Sequence, residues 1–136
     1  MKEPDLAKAV QMIVAPADLV DRLTVLLLKL AHGLKVRDET IAYVDAMESE
    51  HWWASPGMAV LFVDLLIVNA RIWGLESELR RGLEAQVGFE ELGHRAIRIR
   101  DLNARRVHLK NLITEFSKAG TVEVKTDHLS AHDAEV

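Results

Sequence analysis

The chain has 136 residues, 49% of them apolar, a net charge of −4 at pH 7 and no cysteine. That length suits one domain with a sizeable core, and the missing cysteines exclude disulfides, thiolate metal sites and a thiol nucleophile. The negative balance argues against a general nucleic-acid binder, and with aromatics at only 5% the core falls to Leu, Val, Ile and Ala.

Abundant Leu, Ala, Glu and Arg, with no long strand-like run, predict an all-α fold. Residues 1–15 read as a lead-in in which Leu6, Val10 and Ile13 can pack. Its start, Met1-Lys2-Glu3-Pro4-Asp5, is acidic and lacks an apolar signal core, so a cytoplasmic location is expected. Pro16 opens the first helix, which runs to His32, where Gly33 is a stop. Leu19, Leu23, Leu26 and Leu30 form its apolar face, widened by Val20 and Leu27. Asp18, Asp21, Arg22, Lys29 and His32 gather opposite, with Thr24 at the border. A weaker helix is predicted from Asp38 to Trp53, capped by Asp38 or Thr40, with an apolar edge of Ile41, Val44 and Met47. Adjacent Trp52 and Trp53 cannot share one helical face, so one packs and the other is open to a subunit contact.

Pro56 to Phe116 reads as two long helices joined near Glu84–Gly88. Ser55 caps the first and Pro56 suits its first position. Met58, Leu61, Leu65, Ile72, Leu79 and Leu83 make one stripe. Beside it run Phe62, Leu66, Asn69, Trp73, Glu76 and Arg80, half of them polar. After the turn, Leu92, Ala96, Ile99, Asn103, Arg106, Lys110 and Ile113 keep a similar spacing. Folding the helices back about Gln86 sets Asn69 opposite Asn103, Leu66 opposite Arg106 and Phe62 opposite Lys110. Amides and charges then sit where a plain bundle wants leucine. The most apolar run, Met58 to Val68, contains Asp64 and is too short for a bilayer, so no membrane is expected.

Gly120 ends the last helix. Thr121 to Thr126 alternates like a strand, with no partner in this chain, and is expected as an extended arm or as a strand paired across a dimer. The fold expected is thus a helical bundle over 16–117, built on a long antiparallel hairpin, followed by an extended or disordered tail over 118–136. The shorter helices cannot cover a hairpin of that length, so a homo-oligomer is expected, most simply a dimer, with Trp52, Trp53 and the tail strand in contact. His128 and His132 have zinc-compatible spacing but no glutamate after the first, and read as tail.

Three segments in order resemble a known family. They are Asp21-Arg22-Leu23-Thr24-Val25-Leu26 with Lys29; Val68-Asn69 with Trp73, Leu75-Glu76 and Leu79-Arg80; and Asn103, Arg106, Leu109-Lys110 and Ile113. Together they are similar to a family of small bacterial and phage proteins of unknown function, whose bacterial members are often encoded beside glycosyltransferase and surface-polysaccharide genes. The resemblance spans about residues 16–125. Where that family's pattern has an acid after Glu76, an acid after Asn103 and an amide closing the third segment, this chain has Ser77, Ala104 and Thr114.

The candidate ligand site is Asn69, Trp73, Glu76, Arg80, Asn103, Arg106 and Lys110, joined by Asp21, Thr24 and Lys29 if the first helix packs on the hairpin. Three readings follow. In the first, a non-enzymatic module holds a small anionic ligand, a nucleotide or nucleotide sugar. Arg and Lys grip the phosphate, the Asn amides orient it and Trp73 stacks a flat ring. In the second, a small enzyme acts on such a ligand, with Glu76 or Asp21 as general base. In the third, these residues are a structural polar layer in a ligand-free oligomeric assembly module, with Glu76–Arg80 a helix-surface pair and the asparagines fixing register. The basic run Arg95–Lys110 spreads around its helix and lacks interleaved aromatics, which reads as a solvated helix and disfavours nucleic acid. No cofactor or metal motif occurs.

Overall fold

The computed structural model describes residues 15–48, 50, 53–81 and 87–117. Four helices account for most of them: α1 (Pro16–Ala31), α2 (Arg37–Glu48), α3 (Pro56–Arg80) and α4 (Phe89–Ser117). The all-α expectation is met, and no strand occurs among the described residues. The lead-in, Trp52, the predicted strand and the tail lie outside the described residues.

Local signals set the ends of the elements. Ala15 is extended and Pro16 takes the first helical position of α1, where a missing amide hydrogen costs nothing. At the other end Gly33 adopts φ +79°, and the Leu34 amide donates to the Lys29 carbonyl. This left-handed glycine turns the chain sharply into α2. The Ser55 hydroxyl accepts from the Met58 amide at 3.2 Å and caps α3 as expected. By contrast α2 ends at Glu48, short of the predicted Trp53, and Thr40 is no cap. Its hydroxyl donates back to the Val36 carbonyl at 2.7 Å.

α1 is the hub, packing on α2, α3 and α4 alike. Its buried residues are Ala17, Leu19, Val20, Leu23 and Leu26, with Asp21 and Thr24 among them. The predicted division of α1 into an apolar and a polar face therefore fails at two points. Asp21 is only 4% exposed, because α1 is covered on more than one side, whereas Leu30 lies at the exposed end of the helix. α2 likewise buries Thr40, Ala42, Tyr43, Ala46 and Met47, leaving the predicted edge residues Ile41 and Val44 exposed. The small side chains of Ala42 and Ala46 allow the close approach to α1 that the larger pair would prevent.

α3 and α4 run antiparallel. The Phe116 ring sits over Gly57 at one end, so close that an added Cβ would come within 2.7 Å of it. Glu78 pairs with Arg95 at the other end. α1 rises beside α3 and against α4: Asp18 meets Lys110, and one turn on Asp21 meets Arg106. The core of the three helices is built from Leu19, Leu23, Met58, Leu65, Leu109 and Ile113, and Trp53 packs edge-on against Phe62 beside it. Trp53, expected at a subunit contact, thus contributes to this chain's own packing. On α4 all buried side chains lie at Leu109 or beyond. The N-terminal half of α4 carries exposed Phe89 and Ile97. α3 is long and apolar enough, by length and composition alone, to cross a membrane, against the expectation drawn from its apolar run.

Candidate functional site

Three of the polar residues foreseen inside the hairpin, Asn69, Arg106 and Lys110, converge, but on α1. Asp21 is the centre. Its Oδ1 accepts from Asn69 Nδ2 at 2.9 Å and from Arg106 Nε at 3.0 Å, and its Oδ2 accepts from Arg106 Nη2 at 2.5 Å. Asn69 Nδ2 also donates to Thr24 Oγ1 at 2.7 Å, and the Thr24 hydroxyl donates to the Asp21 carbonyl at 2.6 Å. Three helices are cross-linked by one carboxylate. The two-pronged approach of the guanidinium to both carboxylate oxygens is the strong geometry for this pair. Burying Asp21 alone would be costly, so Arg106 and Asn69 are what permit it. Among the described residues no buried side-chain polar atom lacks a partner.

One turn away, Lys110 Nζ lies 2.9 Å from Asp18 Oδ1. Asp18 was not among the predicted site residues. A usable signal was present: acids three apart on one helix match cations four apart on an antiparallel neighbour. That matching places Asp18 and Asp21 against Lys110 and Arg106.

The rest of the predicted set is spread out. Trp73 forms a separate cluster, with the His32 ring stacked at 4.8 Å and the Arg80 guanidinium 5.6 Å from the ring centre. The flat-ring face assigned to a ligand is thus covered by this chain's own histidine. Arg80 donates to Ser77 Oγ rather than pairing with Glu76. Glu76, Asn103 and Lys29 form no side-chain hydrogen bond or ion pair with a described residue. The foreseen Asn69–Asn103 amide contact is replaced by the bonds from Asn69 to Asp21 and Thr24.

The basic run on α4 is largely neutralised in place. Arg95 pairs with Glu78 and Glu91, Arg98 with Glu91, Arg100 with Asp101, Arg106 with Asp21 and Lys110 with Asp18. No group of three or more His, Asp or Glu side chains suited to a metal ion occurs among the described residues. No protein family, curated protein or solved structure matches the chain.

Proposed function

We propose that this chain is a helical assembly module that works without a bound small molecule, its polar cluster serving to dock α1 on α3 and α4 in one register. The observation that supports this reading is the closed circuit Asp21–Asn69–Thr24, with Arg106 clamped on its carboxylate. Two of the cations that would hold a phosphate, Arg106 and Lys110, already have a carboxylate as counter-ion, and a ligand anion would have to displace it. Buried polar groups of this kind favour one packing over its alternatives, as a single asparagine does in a coiled coil. The test is a thermal-shift screen with ATP, UDP-glucose and sugar phosphates, alongside a measurement of molar mass in solution. The expected result is no stabilisation by any of them and a mass above that of one chain.

A second reading keeps a small anion at the seam, because the Arg106 side chain is 35% exposed and its outer edge is reachable. It predicts that one of the same compounds raises the melting temperature and that Arg106→Ala removes that rise in a protein that still folds.

A further inference from the structure

The outer face of α3, opposite the core, is apolar and exposed. Val60, Val63 and Ile67 are 61%, 49% and 44% exposed. Ala70 is exposed, and a Cβ added at Gly74 would meet nothing within 4 Å. These five positions are spaced three and four residues apart in turn, the seam of a coiled coil. At about 100° per residue the seam points roughly opposite Met58, Leu65 and Ile72, the residues that face the core.

The geometry points to a second copy of this chain as the occupant, docked through α3 in antiparallel orientation. This rests on the assembly reading above and names its interface. Two independent features support the orientation. The seam is bulky at its start and small at its end. A two-fold axis between Ile67 and Ala70 therefore sets Val63 on the partner's Gly74 and Ile67 on the partner's Ala70, large against small throughout. One flank of the seam carries Asp64 and Arg71, which form no ion pair with a described residue. The same axis brings Asp64 to the partner's Arg71 and Arg71 to the partner's Asp64. A parallel pairing would set both against the flank of Ala59, Leu66 and Trp73, with no counter-charge.

A lipid surface fits less well. Arg71 is exposed beside Ile67, and α4 runs along α3 with exposed Arg98, Arg100 and Arg105. Hydrocarbon would have to accept those charges along with the apolar stripe. The seam spans roughly 21 Å of helix at 1.5 Å per residue, at the small end of specific interfaces. Association is therefore expected in the micromolar range.

The test is equilibrium sedimentation of the full chain from about 1 to 300 µM, with four proteins. Wild type is expected to dimerise. Ile67→Glu, at an exposed position, is expected to keep the helical circular dichroism and melting temperature and to weaken the dimer roughly tenfold or more. Asp64→Arg alone weakens it, and adding Arg71→Asp restores it, which only the antiparallel pairing predicts. Flotation with phosphatidylcholine–phosphatidylglycerol vesicles runs alongside. A monomer at every concentration overturns the inference and the assembly reading together. A dimer indifferent to Ile67→Glu overturns this interface and leaves the assembly reading standing. Vesicle binding lost in Ile67→Glu, without dimerisation, overturns it in favour of a lipid surface.

Discussion

The two ends of α4 carry the same chemistry in different surroundings. Near its N-terminus Arg95 meets Glu78 and Glu91, with both acids partly open to water. Near its C-terminal half Arg106 meets Asp21, whose carboxylate is buried beneath α1. Water around the first group screens the attraction and offers each charge an alternative partner, so such pairs are worth about 0–1 kcal/mol. At the second, the carboxylate is shut off from water and depends on the protein for its hydrogen bonds. The difference between a decorative ion pair and one on which the fold depends is thus the helix laid over it, not the residues in it.

Three variants sharpen that contrast. The largest effect is expected from Arg106→Met, which leaves Asp21 buried with only Asn69 to answer its charge. Loss of about 2–3 kcal/mol is expected by urea denaturation. Adding Asp21→Leu should recover a good part of it, since an apolar pair needs no counter-ion. A loss under about 0.5 kcal/mol for Arg106→Met would mean that burial does not separate the two ends. Next comes Thr24→Val, nearly the same shape without the hydroxyl. Asn69 then loses an acceptor in a dry site, at an expected cost of about 1–2 kcal/mol in the same assay. Smallest is Glu78→Ala, expected within about 0.5 kcal/mol of wild type. Whatever it does cost should vanish near 1 M salt, where the screening length is about 3 Å. Salt-independence there would place this pair with the buried one.

Much of this architecture was legible from short-range signals. Pro16, Gly33 and Ser55-Pro56 announce helix ends by chemistry acting within one turn, and tertiary packing left them where they were read. The polar residues inside the bundle were also legible, because Asn69 and Arg106 interrupt apolar spacing. What could not be read was which helix they answer. A helical wheel allots each helix one buried face, which suits an outer helix. α1 lies between α2 and the α3–α4 pair, so Asp21, on its supposed wet side, is buried. The same assumption misplaced Ile41 and Val44, since on α2 the small Ala42 and Ala46 face inward. Pairing by folding α3 onto α4 alone considered two helices where three meet, and so matched Asn69 with Asn103.

The Asp21–Arg106 link joins residues 85 apart in the chain. At translation rates of about 5–20 residues per second, roughly 4–17 s separate the synthesis of the acid from that of its cation. Through that interval the apolar face of α1 exists while Asp21 lacks its guanidinium, so burying the carboxylate would leave its charge unpaired. Closing α1 over that carboxylate is thus favoured only once α4 has been made.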